Sequence, residues 1–171
     1  PHILLFAFSK VLKEFPNARL ICAGDGPLLD SSKDLVQAMG IEASVDFVGR
    51  ISHDTFKEYL RNSIAYVQHS VEAIDGDMEG TPVSILEASA SGLAVISTIH
   101  AGIPDVIVHE KTGLLSEERD ADTMTKHMVH VLRHPEEAKA MGVAGKDHIR
   151  QNFSQPAHLN GLTTILTEAR Q

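Results

Sequence analysis

Two glutamates, Glu79 and Glu87, flank the start of a predicted helix, with seven residues between them. An ionised carboxylate only accepts hydrogen bonds and offers about four lone-pair sites, so each glutamate can bind two neighbouring hydroxyl groups. The pair is therefore suited to binding vicinal diols, such as those of a sugar or a ribose. The alternative is that both are solvated acids near a helix.

The residues around the glutamates predict the limits of this helix. Thr81 is expected to be the N-cap, with its hydroxyl accepting a backbone amide, and Pro82 suits the first helical position. Gly92 is expected to end the helix. Glu79 then precedes the helix and Glu87 lies inside it.

A nucleotide diphosphate sugar fits this arrangement. The free amides around Gly80 and Thr81, together with the positive end of the helix dipole, form an anion site for the diphosphate. The sugar hydroxyls would then reach Glu79, and the ribose hydroxyls would reach Glu87.

Several motifs in the right order carry a family resemblance: EGTPVSILEASASGLAVIS at residues 79–97, AGIPDVI at 101–107 and KTGLL at 111–115. They resemble the large family of retaining glycosyltransferases with the GT-B fold, over a match from near residue 1 to about residue 153. The motif DGDMEGTP at 75–82 and the motif HAGIP at 100–104 are most similar to bacterial exopolysaccharide glycosyltransferases of the colanic-acid type.

The resemblance implies a division of the chain. With 171 residues the chain has the length of one domain, and it is similar to the C-terminal, nucleotide-sugar-binding half of such enzymes. Residues 1–153 would form this Rossmann-like domain, and residues 154–171 a helix that packs on an N-terminal acceptor-binding domain missing here. The family's Arg/Lys diphosphate loop would lie just before residue 1, so the chain alone is expected to be inactive.

The resemblance also implies roles for individual residues. Glu79 would be catalytic, orienting the sugar and stabilising positive charge at its ring, while Glu87 would hold the ribose. The base would meet the loop after the second strand, and Arg50 could stack on it, unless Arg50 is only an exposed turn residue. UDP is the favoured nucleotide, and no metal or other cofactor is required. The remaining donor-binding residues are Gly80, Thr81, Pro82, Val48, Gly49 and Ile51.

Alternating strand and helix patterns predict an α/β fold, a Rossmann-like doubly wound parallel sheet with extra C-terminal helices. The predicted strands are 18–23, 44–48, 64–68, 93–97 and 113–115. The predicted helices are 2–15, 28–39, 55–62, one from Pro82, a short one near Pro104, and a helical region from Ala121 to the end that breaks near Pro135 and Pro156. Residues 159–169 are expected to be the least supported segment.

Two glycine-containing motifs point to other ligands. Gly24-Asp25-Gly26 resembles the start of a dinucleotide fingerprint, but the third glycine is absent, and NAD binding is disfavoured. The DGDMEG motif at 75–80 matches part of a calcium loop, yet Leu86 stands where the bidentate glutamate is required. Metal binding is therefore disfavoured there as well.

Three histidines, His127, His130 and His134, share one face of a predicted helix. Such spacing can present imidazoles to a metal, but no cysteine pair or carboxylate cluster is evident nearby. A polar flank beside an apolar stripe is the preferred interpretation.

Composition excludes several classes of protein. The net charge of −8 argues against a nucleic-acid-binding surface. Cys22 is the single cysteine, so a disulfide framework is excluded and a cytoplasmic setting is expected. The apolar run at residues 3–8 is far shorter than the roughly 20 residues of a membrane span, so membrane contact is expected only through the missing half.

Two other function classes stay open. A sugar-nucleotide epimerase or phosphorylase can share this architecture. A non-catalytic nucleotide-binding or interaction module is the second alternative.

Overall fold

The computed structural model describes residues 1–168, in which parallel strands alternate with helices. The strands are β1 (Leu20–Ala23), β2 (Val45–Gly49), β3 (Ala65–Val67), β4 (Ala94–Thr98) and β5 (Gly113–Ser116). The helices are α1 (His2–Val11), α2 (Leu29–Ala38), α3 (His53–Asn62), α4 (Val83–Ser91), α5 (Ile103–Val106), α6 (Ala121–Arg133), α7 (Pro135–Asn152) and α8 (Gln155–Glu168), with a 3₁₀ turn at Glu42–Ser44.

All strand pairs are parallel, as the alternating pattern predicted. β1 pairs with β2, and β4 pairs with both β3 and β5, so the ladders form a two-stranded and a three-stranded sheet. Within residues 1–168, β1, β2, β3 and β5 each keep one edge that pairs with no strand. The α/β, Rossmann-like fold class is confirmed, while the hydrogen-bonded ladder is divided in two.

β4 lies at the centre of the packing and is buried along its whole length. Its side chains alternate between two apolar clusters: Ala94 and Ile96 join one, while Val95 joins the other. The first cluster lies against α1 and α6, and the second contains residues of α4 and α5. A strand covered on both faces is rich in apolar residues, which explains the run from Leu93 to Ile96. Its buried Ser97 and Thr98 donate their hydroxyls to the carbonyl oxygens of Gln68 and Ser70.

Prolines account for one predicted helix end that differs from the observed one and for two predicted breaks that agree with it. α1 ends at Val11 and not at Phe15, and residues 12–15 continue it as hydrogen-bonded turns, the last of which joins the Phe15 amide to the Val11 carbonyl oxygen. Pro16 then stops this segment, because it disfavours the helical conformation of Phe15. Pro135 stands at the first position of α7, where its missing amide costs nothing, and Pro156 lies in the first turn of α8. Both prolines mark the breaks that the sequence predicted.

α8 exposes several apolar side chains. Leu159, Ile165 and Leu166 are each more than half exposed. The segment that we expected to be least supported includes Ala169, which lies outside the described residues. Within residues 1–168, each helix is too short or too polar to serve as a membrane span.

Candidate functional site

The loops that follow β3 and β4 meet at the N-terminus of α4. The backbone amide of Gly102 donates to the carbonyl oxygen of Gly80 at 3.0 Å. A Cβ on residue 102 would lie 2.3 Å from Oγ1 of Thr81, so glycine permits this close approach. The loop that contains Glu79 is thereby fixed to the turn after β4.

The start of α4 differs from the sequence prediction. Pro82, with an extended ψ of 122°, is the N-cap, and Val83 is the first helical residue. Thr81 was wrongly predicted as the cap: its hydroxyl lies against Gly102, because the Gly80–Gly102 hydrogen bond draws the preceding loop in that direction. No side chain of the described residues caps this helix N-terminus, and its first amides are therefore available to an anion.

Glu79 lies in the exposed loop immediately before α4. Its Oε2 accepts a hydrogen bond of 3.2 Å from Nε2 of Gln68, the residue after β3. The carboxylate therefore stands at the carboxyl edge of the sheet, where ligands of parallel α/β sheets bind.

Glu87 lies inside α4, whose C-terminal stop at Gly92 has the left-handed conformation that the sequence predicted, with φ of 86°. Its side chain is 34% exposed, and Oε1 is 3.4 Å from Nδ1 of His53 at the start of α3. The second carboxylate thus faces the segment that follows the β2 turn.

The charges of both glutamates affect the pKa of Tyr66 in β3. Burial is the main cause that raises the pKa of its phenol, and the negative charges of Glu79 and Glu87 add to the increase. The phenol therefore stays neutral, and it donates to Oε1 of Gln68 at 2.7 Å. Both glutamates thus act on the charge of the same buried side chain.

The turns after β1 and β2 are joined to each other. The Gly24 amide donates to the carbonyl oxygen of Gly49 at 2.8 Å, and Nε of Arg50 is 3.2 Å from Oδ2 of Asp25. Arg50 is 85% exposed, and Gly49 has a φ of 66°, in the left-handed region that favours glycine. Val48 and Gly49 are thus the last residues of β2, and Arg50 and Ile51 begin the segment that follows it.

A buried histidine–glutamate pair supports the site from the turns after β4 and β5. Nδ1 of His100 lies 2.6 Å from Oε1 of Glu118, and the His100 side chain is almost fully buried. This contact is the largest cause that lowers the pKa of Glu118, and the second is the Glu72 amide, which donates to Oε2 at 3.0 Å. Arg119 donates to the Glu72 carbonyl oxygen, so Glu118 and Arg119 hold the start of the Glu79 loop.

The residues considered for metal binding do not form a site with three or more ligands in the part of the chain that the structure describes. Oδ1 of Asp75 instead accepts the backbone amide of Asp77 at 3.3 Å. His130 and His134 both approach Glu137, at 3.1 and 3.6 Å.

Sequence reasoning missed Gln68, His53 and the His100–Glu118 pair. Gln68 stood at the end of a predicted strand, and polar residues at that end line the ligand crevice in parallel α/β sheets. That signal was present but was not used. His53 and Glu118 gave no comparable signal, because each meets its partner across more than 15 positions of sequence.

Comparisons with known proteins decide the family. The profile described as "Glycosyl transferases group 1" matches residues 1–148. The chain belongs to this family. It is 32% identical over 143 residues to the amylovoran biosynthesis glycosyltransferase AmsK of Erwinia amylovora, covering 84% of this chain and 35% of AmsK. Colanic acid glycosyltransferases are also among the relatives, as the motifs indicated.

Two further relatives bear on the nucleotide and the fold. A GDP-mannose-dependent alpha-(1-6)-phosphatidylinositol monomannoside mannosyltransferase of Mycobacterium tuberculosis is 29% identical over 147 residues, which are 85% of this chain and 38% of the enzyme. The crystal structure of Anabaena HepE in complex with UDP-glucose superposes with a TM-score of 0.83 at 16% identity, covering 98% of this chain and 44% of HepE. The superposition supports the fold alone. The chain spans well under half the length of each of these relatives.

Proposed function

We propose that this chain is the donor-binding domain of a retaining glycosyltransferase, which transfers a sugar from a nucleotide diphosphate sugar to a hydroxyl acceptor. One observation carries the proposal. The N-terminus of α4 has no side-chain cap, one glutamate precedes it and a second lies on the same helix. This is the arrangement that a diphosphate between two diol-bearing groups requires.

The diphosphate binds at the first amides of α4. Partial positive charge at a helix N-terminus stabilises a bound anion, and it also stabilises the negative charge that develops on a diphosphate leaving group. Gly80, Thr81 and Pro82 shape the wall of this site, since the Gly80–Gly102 hydrogen bond fixes their path. A metal ion is not required for this stabilisation.

The two glutamates have different tasks. Glu79 accepts hydrogen bonds from the transferred sugar and stabilises positive charge at its ring as the bond between the anomeric carbon and the diphosphate breaks. The acceptor oxygen then bonds to that carbon with retention of configuration, and its proton passes to the departing nucleotide diphosphate. Glu87 accepts hydrogen bonds from the ribose and takes no part in bond cleavage.

The base lies against the carboxyl end of β2 and the residues that follow it, Val48, Gly49, Arg50 and Ile51. Backbone groups of these residues form hydrogen bonds with the edge of the base. The exposed guanidinium of Arg50, which is paired with Asp25, stacks on the face of the base. UDP is favoured, and the GDP-mannose dependence of the mycobacterial relative makes guanine the alternative to test.

The whole protein acts in bacterial exopolysaccharide or lipopolysaccharide synthesis in the cytoplasm or at the cytoplasmic face of the membrane. Its acceptor-binding half is supplied by residues outside this chain, which alone is inactive. The exposed apolar residues of α8, such as Leu159 and Ile165, support the packing of residues 154–171 on that half.

An amide chemical-shift titration with UDP, GDP and ADP, each with and without an attached hexose, tests the proposal. We expect saturable shifts at residues 48–51 and 79–87, because these segments surround the donor. Glu87→Gln should weaken the binding of nucleotide with or without a hexose, whereas Glu79→Gln should remove only the contribution of the hexose.

Two results would contradict the proposal. Saturable shifts centred on other residues would place the ligand elsewhere. Equal losses of nucleotide affinity in the two variants would remove the division of roles between the glutamates. Gln37→Met, which changes an exposed residue of α2, is the control for non-specific effects.

A further inference from the structure

Gln68 is held rigidly by its backbone. It lies one residue beyond β3, its amide donates to the Ile96 carbonyl oxygen at 3.0 Å, and its carbonyl oxygen accepts the Ser97 hydroxyl at 2.8 Å. Ser97 is fully buried in β4. The main chain of Gln68 is therefore fixed to the central strand of the three-stranded sheet.

The side chain of Gln68 uses its full hydrogen-bonding capacity. Oε1 accepts the hydroxyls of Tyr66 and Ser84 at 2.7 and 2.9 Å. Nε2 donates to Oγ of Ser70 at 3.1 Å and to Oε2 of Glu79 at 3.2 Å. A carboxamide has two donors and two acceptor lone pairs, so each one has a partner here.

This network determines which way the carboxamide points. Rotating it by half a turn would place the Oε1 lone pairs of Gln68 against the carboxylate of Glu79, and the two acceptors would repel each other. Hydroxyls, by contrast, can either donate or accept. Glu79 is therefore the partner that fixes the amide, and the amide in turn holds one oxygen of Glu79.

We propose that Gln68 is a positioning residue: by holding Oε2 of Glu79, it directs the Oε1 atom toward a hydroxyl of the transferred sugar. This inference rests on the proposed function, because it assigns Gln68 a part in sugar binding by Glu79. Preorganised acceptors gain affinity because less rotamer freedom is lost on binding. The competing explanation is that Gln68 only ties β3 to α4 through Tyr66 and Ser84.

Two substitutions separate these explanations. Gln68→Glu keeps an acceptor for the Tyr66 and Ser84 hydroxyls but replaces the donor to Glu79 with a second negative charge. Gln68→Met removes all four hydrogen bonds and adds no charge. A positioning role predicts that the glutamate variant loses more sugar binding, whereas a purely structural role predicts that the methionine variant does.

The measured quantity is the ratio of the dissociation constant for UDP to that for UDP-glucose, with GDP and GDP-mannose as the second pair. Dividing the two constants cancels general losses of nucleotide affinity or folded fraction. Since two carboxylates that face each other repel, we expect Gln68→Glu to lower the ratio to about one. Gln68→Met should lower it less, and Gln37→Met should leave it unchanged.

A double variant and the ratio of the wild type complete the test. In the Glu79→Gln background, Gln68→Met should cause little further loss, because the pair acts as a unit. If the wild-type ratio exceeds one, Glu79→Gln abolishes it and Gln68→Glu preserves it, the positioning role is overturned while the proposed function stands. If the wild-type ratio is already one for both nucleotide pairs, the proposed role of Glu79 is itself contradicted.

Discussion

At the scale of single residues, the two site glutamates differ in their surroundings. Glu79 lies in an exposed loop and is held by a neutral donor from Gln68, whereas Glu87 is partly buried on a helix beside His53. The carboxylate of Glu79 is held through a hydrogen bond from a side chain of another element, whereas the carboxylate of Glu87 is held by its own helix and offers a fixed point for the ribose. The surroundings thus support different tasks for two identical side chains.

The lowered pKa of His69 should make the stability of the fold depend on pH. Burial lowers the pKa of its imidazole from 6.5 to about 4, and its Nε2 accepts the Arg119 amide at 3.1 Å. In the unfolded chain the imidazole becomes protonated as the pH falls through 6.5, whereas in the folded chain it becomes protonated only near pH 4. Stability is therefore highest above pH 6.5, and it falls as the pH drops toward 4. Urea unfolding at pH 7, 6 and 5 measures this decrease.

A substitution isolates the part due to His69. His69→Gln retains an acceptor for the Arg119 amide but does not titrate. The urea concentration at the midpoint of unfolding should therefore fall less between pH 7 and 5 in this variant than in the wild type. The pKa of His127 is also lowered, chiefly by burial, so some decrease should remain and should be smaller in the double variant with His127→Gln. The same decrease in wild type and in both variants would refute the assignment.

At the scale of elements, a contact between α7 and the end of α4 sets the direction of the helix that carries Glu87. Gly142 of α7 packs directly on the backbone of Gly92, the residue that ends α4. Gly92 adopts the left-handed conformation, so the chain can turn at once into β4. Two glycines thus allow a helix, a turn and a strand to pack closely.

Gly142→Ala should loosen this contact. The new Cβ would lie 2.0 Å from the carbonyl oxygen of Gly92, and a backbone atom cannot rotate away. We expect a loss of about 1–3 kcal/mol in the free energy of unfolding, although alanine favours helices by up to about 1 kcal/mol. Chemical denaturation measures the change. Val143→Ala, on the exposed side of α7, should change stability by less than about 0.5 kcal/mol, and equal effects would contradict the packing argument.

The sequence predicted the existence and type of these elements better than their contacts. Hydrophobic periodicity is local, so the strands and the main helices appeared near their observed positions. The predicted start of α4 was wrong, because a hydrogen bond from Gly102, more than 20 positions away, overrides the capping preference of Thr81. The network of Gln68 joins residues of β3, α4 and the Glu79 loop, and only the folded chain brings them together.

At the scale of the whole molecule, several surfaces favour further contacts. β1, β2, β3 and β5 each have one edge without a paired strand among the described residues, and Ile21 of β1 is 40% exposed. α8 presents an apolar surface as well. Unpaired edges and exposed apolar side chains favour association with other chain segments. The chain matches only 35% and 38% of the lengths of two relatives.

A crystal structure of the chain with bound UDP-hexose, or with GDP-mannose if guanine is preferred, tests the central claim most directly. The account predicts the diphosphate at the first amides of α4, ribose hydroxyls about 3 Å from the carboxylate of Glu87 and a sugar hydroxyl at Glu79. The base should lie against residues 48–51. A nucleotide bound at another place, such as the Gly24–Gly26 turn, with both glutamates facing solvent, would contradict it.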